Sequence, residues 1–160
     1  MMQGMVDSAV LQGTYLVTGL ADSKVAKVAA LGEMRSYSSG QVICTIGEIA
    51  SEMFVVLDGN VFVMTADGDR LGEIGRGSVI GEIALVDARP RTANVVCVGP
   101  VNVAVFSTDE LRKLMNADRD LGFTMLASIA RVLAGRLRQA DARIDELTDK
   151  ASDVWHNAMG

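Results

Sequence analysis

The sequence is poor in the residues from which most metal and catalytic centres are built. Its 160 residues include a single histidine and two cysteines. Because no second histidine and no cysteine cluster stands beside His156, a metal site is not expected there. No Ser-His-Asp, Cys-His or paired-acid arrangement is present, so the corresponding hydrolytic chemistry is not expected either. Cys44 and Cys97 lie in apolar runs of β type, which favours packed, reduced thiols.

Aromatic residues, long apolar runs and excess positive charge are also scarce. Only 4% of the chain is aromatic although 49% is hydrophobic, so the core must consist of aliphatic side chains and methionines. No apolar run approaches the roughly 18 residues of a membrane span, and residues 1–7 lack the features of a secretory signal. We therefore expect a cytoplasmic protein with no membrane attachment. The net charge of −5 opposes attraction to nucleic-acid backbones, so direct DNA binding is not expected.

The middle of the chain alternates short β-type runs with turn residues. The runs are separated by Gly, Asp or Asn and lie at residues 41–46, 53–58, 60–66, 69–74, 94–98 and 101–106. Asp67-Gly68 has the composition of a tight hairpin turn, and Gly99-Pro100 that of a second turn. Many short strands with frequent turn signals predict a sandwich or a barrel.

Helical patterns flank this β-rich region. Residues 14–33 predict short helices, because apolar side chains occur at helix-like spacing at Leu16, Leu20, Val25, Val28 and Leu31. Ser107 and Glu110 fit a capping box, in which the Ser107 hydroxyl accepts from the Glu110 amide and the Glu110 carboxylate accepts from the Ser107 amide. A helix is therefore predicted to begin at this point.

From Asp118 the pattern is helical almost to the end of the sequence. Apolar residues recur there at alternating steps of four and three, at Leu126, Ala130, Leu133, Leu137, Ala140, Ile144, Leu147, Ala151, Val154 and Ala158. Such a heptad seam is typical of a coiled coil. Its distal part would leave an apolar stripe in water unless it met a partner. The sequence therefore predicts a homodimer through residues 126–158.

Residues 81–93 predict an anion site that also contains a carboxylate. Gly81 precedes a helical turn, whose unpaired N–H groups can point at a negative ligand. Arg91 follows in the same segment and would add charge-assisted hydrogen bonds. Glu82 is unfavourable beside a phosphate unless it accepts a hydrogen bond from a ligand hydroxyl. A 3′,5′-cyclic nucleotide offers both groups, a singly charged phosphodiester and a free 2′-hydroxyl.

An ordered series of motifs carries a resemblance to a known family. The motifs are Gly40-Gln-Val-Ile, Ile46-Gly47-Glu48, Phe54-Val-Val-Leu-Asp-Gly59-Asn-Val-Phe-Val63, Gly77-Ser-Val-Ile-Gly81-Glu82-Ile-Ala-Leu85 and Pro90-Arg91-Thr92-Ala93. Over roughly residues 15–138 the chain resembles the cyclic nucleotide-binding domain of the catabolite activator protein, kinase regulatory subunits and gated channels. It departs from the family pattern at Glu48-Ile-Ala-Ser-Glu, a loop that we expect to lie outside the phosphate cradle. The resemblance implies an α+β fold, a jelly-roll-like antiparallel β-roll flanked by N-terminal helices and a long C-terminal helix.

The resemblance also assigns roles to individual residues. The backbone contacts to phosphate and ribose are expected from Gly81, Glu82, Ile83 and Ala84. Glu82 would accept from the 2′-hydroxyl, and Arg91, with the Thr92 hydroxyl beside it, would clamp the phosphate. Arg89 is only two residues away, but the family pattern leaves it on the surface.

Four further positions keep two interpretations open. Val63, Leu71 and Ile74 are either apolar contacts to the base and sugar or ordinary core residues of the sheet. Arg136 is either the lid residue that reaches the base or part of a solvated helix face.

The implied function is that of a non-catalytic receptor for cAMP, which is the commoner ligand among bacterial-looking members, with cGMP as the second candidate. No cofactor is expected. Residues 1–118 would form the N-terminal helices and the nucleotide-binding roll. Residues 119–158 would form a lid and dimerisation helix that transmits occupancy to an unidentified effector. The alternatives are a ligand-free dimerisation scaffold, the sensor fragment of a larger regulator or channel, and a cupin-type enzyme, which the lack of clustered histidines disfavours.

Overall fold

The computed structural model describes residues 4–159, in which helices flank a central set of strands. The helical segments at the start are α1 (Ser8–Leu11), a 3-10 turn (Tyr15–Val17) and α2 (Asp22–Ala29). The strands are β1 (Gly32–Tyr37), β2 (Val42–Cys44), β3 (Glu52–Met64), β4 (Arg70–Ile74), β5 (Val79–Ile80) and β6 (Asn94–Ser107). A second 3-10 turn (Glu82–Leu85) precedes β6, and α3 (Thr108–Ala117) and α4 (Arg119–Met159) follow it. The predicted α+β class is confirmed.

All six strands belong to one antiparallel sheet, which is open rather than closed. β6 lies between β1 and β3, and β3 also pairs with β4. The short strands β2 and β5 pair with β6 and β3, respectively. The antiparallel roll with flanking helices is therefore as predicted, whereas a closed barrel is not formed.

Two predicted breaks between strands are bulges within continuous strands. β3 and β6 remain paired along their whole length, with register shifts around Asp58. Gly59 has a φ of +90°, and a Cβ atom at this position would collide with the carbonyl oxygen of Pro100. Gly59 and Gly99-Pro100 therefore bend the paired strands instead of reversing the chain, because the apolar ladder resumes on both sides.

β1 was not predicted, and the expectation of helix through residue 33 is wrong. β1 has no alternating apolar pattern, since most of its side chains are polar or partly exposed. It forms because it pairs with β6 from Gly32 opposite Phe106 to Tyr37 opposite Val101. The two-residue β5 is too short to leave a pattern. The hairpin between β3 and β4, by contrast, turns at Asp67-Gly68 as predicted.

The two faces of the sheet bury separate apolar clusters, because side chains alternate along each strand. On one face, Met53 and Val55 of β3 pack against the helices together with Phe106. On the other face, Phe54 and Val56 line the interior of the roll. Of the residues that predicted the N-terminal helices, Leu16, Val25 and Val28 are buried and Leu20 and Leu31 partly buried in the helical cluster. Cys44 and Cys97 are buried free thiols in the roll, as predicted, and burial raises the pKa of each.

The two C-terminal helices begin at polar caps. The Ser107 hydroxyl accepts from the Glu110 amide at 3.4 Å, which confirms one half of the predicted capping box. The reciprocal bond is absent from the described residues, because Glu110 pairs with Lys113 and Ser107 still faces Glu52 in the sheet. Asp118 starts α4 by accepting from the Leu121 amide at 3.1 Å. Within residues 4–159, no helix combines the length and the apolar character that crossing a membrane requires.

Candidate functional site

A left-handed glycine and a single 3-10 turn form one wall of a cavity. Gly81 directly follows β5 and has φ 82° and ψ 20°, a conformation that favours glycine. Residues 82–85 continue from it, and we call them the phosphate turn after the ligand group that the sequence predicts there. Among the described residues, the amides of Glu82 and Ile83 have no hydrogen-bond acceptor, since the first bond of the turn runs from the Ala84 amide to the Gly81 carbonyl. Such free N–H groups are suited to an anionic ligand.

Arg91 lies against this wall. A Cβ atom at Gly81 would collide with the Arg91 guanidinium, so the missing side chain is what allows the approach. Arg91 Nη2 donates to the Glu52 carbonyl at 2.5 Å, and the guanidinium carbon lies 5.9 Å from the centre of the Phe54 ring. The Arg91 guanidinium is thus partly buried next to Gly81, where the turn with the free amides begins. It has no carboxylate partner among the described residues.

The loop that departs from the family pattern supports Arg91. The Arg91 amide donates to the Glu48 carbonyl at 2.8 Å, and the Gly47 amide donates to the Arg91 carbonyl at 2.9 Å. The loop therefore positions the main chain of Arg91, although the sequence had suggested that it lies apart from the cradle. Because these contacts are made by main-chain atoms, they do not depend on the residue types in the loop.

Glu82 is the buried acid of the site. Its side chain is 4% exposed, and Oε1 accepts from Nη1 of Arg136 on α4 at 2.6 Å, whereas the Arg136 side chain is 53% exposed. The Tyr15 hydroxyl is buried in the same region and has no hydrogen-bond partner among the described residues. Burial and then the neighbouring Glu82 carboxylate raise the pKa of the Tyr15 phenol. Glu82 is therefore the point at which the phosphate turn, α4 and the N-terminal segment approach one another.

The cavity has a volume of about 690 Å³, within the size range of small-molecule sites. All the predicted ligand residues line it: Val63, Leu71, Ile74, Gly81, Glu82, Ile83, Ala84, Arg91, Thr92 and Arg136. Arg89 also reaches the rim, but its side chain is 81% exposed and pairs with Asp87, in agreement with a surface position. The structure thus brings the predicted residues together, while their contacts with a ligand remain a prediction.

The four positions with two interpretations all lie on the cavity wall. Leu71 is exposed and Val63 and Ile74 are partly buried, so none of the three is a fully buried core residue. Ile74 also packs against the apolar cluster of the roll. Arg136 contacts Glu82 rather than lying on a purely solvated helix face.

Sequence reasoning missed three contributors to the site. Tyr15 approaches Glu82 from the start of the chain, Glu52 supplies a carbonyl to Arg91, and Arg112 of α3 binds the end of the phosphate turn. None of them belongs to a motif. The last two act on or through main-chain carbonyls, which every residue has, so only the fold could reveal them.

Comparison with known proteins matches this geometry to one family. The sequence profile of the cyclic nucleotide-binding domain matches residues 34–118. A cAMP-dependent protein kinase regulatory subunit of Mycosarcoma maydis is 31% identical over 119 residues, covering 72% of this chain and 21% of that protein. Glutaminase 2 of Bradyrhizobium diazoefficiens is 29% identical over 133 residues, covering 83% of this chain and 21% of that protein. The chain spans about a fifth of the length of these curated relatives.

A solved structure shows the same fold. A cyclic nucleotide-binding domain from Methylobacillus flagellatus matches with a TM-score of 0.77 and 23% identity. The match covers 89% of this chain and 86% of that chain, so it extends beyond the sheet into the flanking helices.

Proposed function

Because the chain belongs to the cyclic nucleotide-binding domain family, we propose that it is a non-catalytic receptor for a 3′,5′-cyclic nucleotide, with cAMP favoured over cGMP. The observation that carries the proposal is the convergence on one cavity of two free amides, a guanidinium and a buried carboxylate. These groups match the two polar ends of the ligand, an anionic ring phosphate and a sugar hydroxyl.

The phosphate would lie between the phosphate turn and Arg91. The amides of Glu82 and Ile83 supply neutral donors, and Arg91 supplies charge-assisted ones, which are typically about twice as strong. Arg91 already uses one nitrogen on the Glu52 carbonyl, which holds the guanidinium in place before a ligand arrives. Thr92, also on the cavity wall, adds a hydroxyl.

The sugar would bind through Glu82, and this contact offers a route to α4. A ligand 2′-hydroxyl that donates to Glu82 would share the carboxylate with Arg136, whose side chain now binds it. Any change in that ion pair acts directly on α4. Ligand binding can shift the helix only if the two helix arrangements bind the ligand with different affinity. Val63, Leu71 and Ile74 would then supply apolar contacts to the base and sugar.

We further propose that residues 119–158 form the lid and dimerisation helix, and that residues 1–118 form the binding unit. In support, the seam residues Leu137, Ile144, Leu147 and Val154 are each at least 59% exposed, which leaves an apolar stripe for a second copy. The cytoplasmic location expected from the sequence stays a prediction, and the proposal requires no contact with DNA or a membrane. The protein effector that would respond to a change in α4 is unidentified.

Two other functions remain as outcomes of the test. A dimerisation scaffold would have the same fold without ligand affinity, and a sensor unit of a larger regulator or channel would bind the nucleotide but act through other segments. The chain spans about a fifth of the length of these relatives, so a role as the sensor unit of a larger protein is compatible with the proposal. Within residues 4–159, no group of three potential metal ligands converges.

Calorimetric titration with cAMP, cGMP and 2′-deoxy-cAMP, with a cyclic dinucleotide as the negative control, tests the proposal. We expect Arg91→Ala to weaken cAMP binding by about 2–5 kcal/mol, because a buried ligand charge loses its partner. Arg89→Ala is the matched control, since Arg89 is exposed at the rim and, among the described residues, its ion pair is with Asp87 alone. A loss of less than about threefold, or 0.7 kcal/mol, for Arg91→Ala would remove it from the clamp.

Glu82→Ala and Glu82→Gln test the sugar contact. Both should weaken binding of cAMP much more than binding of 2′-deoxy-cAMP, which has no hydroxyl to donate. Equal losses for the two ligands would show that Glu82 does not bind the hydroxyl. Absence of heat and of a thermal shift with millimolar cAMP and cGMP would favour the scaffold.

A further inference from the structure

Arg112 fastens the far end of the phosphate turn to α3. Its Nε donates to the Leu85 carbonyl at 3.2 Å, and its Nη2 donates to the Ala84 carbonyl. The remaining nitrogen, Nη1, is held by Asp109 at 2.8 Å. All three guanidinium nitrogens therefore have partners, two of which are main-chain atoms of the turn.

The two carbonyls have no other partner among the described residues. The amides of Val86 and Asp87, which follow the turn, both donate to the Ile83 carbonyl. The turn consequently ends with two acceptors that no backbone amide reaches. A planar guanidinium with donors in a fixed fork can bind both at once and also offsets the negative end of the turn.

The opposite end of the same turn carries the free amides of Glu82 and Ile83. A single 3-10 turn is not a stable unit by itself, because one turn fixes many dihedral angles for few hydrogen bonds. Its shape must be imposed from outside. Gly81 sets the entry of the turn, and Arg112 is the side chain that binds its exit.

We propose that Arg112 is a positioning residue, which holds the phosphate turn in the shape that presents its free amides to the cavity and couples this shape to α3. The contact with a ligand rests on the proposed receptor function; the effect on the turn does not. Because Arg112 binds the turn from outside the cavity, nothing in the cavity wall reveals this role.

The neighbouring hollow supplies a matched control. A space of about 410 Å³ between α3 and α4 is lined by Arg112, Leu85 and Arg119, among others. Arg119 is exposed and makes no side-chain hydrogen bond or ion pair with any of residues 4–159. Replacing it changes charge and apolar area in the same hollow without removing a hydrogen bond of the turn.

Amide hydrogen exchange by NMR in the ligand-free full chain tests the structural half of the proposal. The reporters are the amides of Ala84, Val86 and Asp87, each of which donates a hydrogen bond within the turn or at its exit. We expect Arg112→Met to speed their exchange by about tenfold or more while sheet amides such as that of Val55 keep their rates. Arg112→Lys should have an intermediate effect, since an ammonium cannot reproduce the fork. Arg119→Met should have none.

Asp109→Asn provides a second variant that keeps Arg112 and loosens its anchor, with a smaller change expected in the same direction. Unchanged exchange at the turn in Arg112→Met would overturn the proposal. So would an equal acceleration throughout the sheet, because that would show a general loss of stability. An identical effect of Arg119→Met would overturn it as well.

Titration with cAMP tests the proposed link between Arg112 and ligand binding. Arg112→Met should weaken binding about tenfold, roughly 1.4 kcal/mol, although Arg112 does not line the cavity. Wild-type affinity in Arg112→Met, together with fast turn exchange, would overturn the link to binding. If the wild-type chain binds neither cAMP nor cGMP, the receptor function fails, while the exchange rates still decide whether Arg112 holds the turn.

Discussion

The two halves of α4 both carry apolar residues at helical spacing, but they lie in opposite surroundings. In the near half, residues 119–136, Leu121, Met125 and Ile129 are at most 1% exposed. In the far half, residues 137–159, Ile144 and Leu147 are 59% and 66% exposed. The predicted seam residues Leu126 and Ala130 of the near half are exposed as well. The sequence period therefore does not by itself decide which face of the helix is buried or whether the same chain covers it.

The difference arises from what lies beside each half. The near half starts at the Asp118 cap and packs its buried residues into the helical cluster on the sheet. The far half extends past that cluster and is supported by local pairs such as Lys150 with Glu146 at 2.6 Å. Such pairs contribute only about 0.2–0.5 kcal/mol each, so a second copy would be the larger source of stability for the far half.

The largest expected effect contrasts one residue from each half. Met125→Ala removes a fully buried side chain and should lower the free energy of unfolding by about 2–5 kcal/mol. Leu147→Ala, at a residue that is 66% exposed, should change it by less than about 0.5 kcal/mol in dilute protein. Urea unfolding measures both. Comparable losses for the two variants would mean that the far half is also covered within the monomer.

The ion pair at the border between the halves should contribute less. Arg136→Met leaves the buried Glu82 carboxylate without its partner, and we expect a loss of about 1–2 kcal/mol, because the exposed Arg136 is screened by solvent. Combining it with Glu82→Gln should recover part of that loss. Arg138→Met, an arginine of the far half, is the control. Urea unfolding measures the free energy of unfolding of each variant. Equal values for Arg136→Met and Arg138→Met would show that the ion pair between Glu82 and Arg136 does not stabilise the fold.

A smaller effect is expected at the start of the near half and depends on pH. The Leu121 amide first, and then Lys24, lower the pKa of Asp118 below its ordinary value of 3.8. The stabilisation is therefore fully present above pH 3.8 and is lost as the pH falls through the lower folded value. Asp118→Asn should make stability less sensitive to acid over that interval. Thermal unfolding between neutral and strongly acidic pH measures the slope, and identical slopes would contradict the assignment.

Truncation after residue 138 should have the smallest effect on the monomer. Most of the far half is absent from the buried clusters, so the melting temperature in dilute protein should be nearly unchanged. Self-association should weaken, because the exposed seam is removed. Sedimentation velocity over a range of concentrations measures it. An unchanged dimer in the truncated chain would place the interface elsewhere.

The site was predictable where it depends on residue types in one segment. Gly81, Glu82 and Arg91 lie within eleven residues of each other, and their chemistry can be deduced from a glycine, an acid and a guanidinium in that order. Tyr15 and Arg112 come from distant parts of the chain, so no local pattern could assign them. The Glu82–Arg136 pair joins residues that are 54 positions apart, and Arg136 was predicted only as one of two alternatives.

The order of residues was sufficient to identify the α+β class, the family motifs, the hairpin at Asp67-Gly68 and the start of α3, since each depends on local propensity or on neighbours a few positions away. The pairing of β1 with β6, the bulges at Gly59 and Gly99, the main-chain support of Arg91 and the division of α4 into a buried and an exposed half were decided by the folded molecule. These features depend on contacts between distant segments. Every residue type can form main-chain hydrogen bonds, and the segment that buries an apolar face can lie anywhere in the chain, so neither produces a periodic pattern in the sequence.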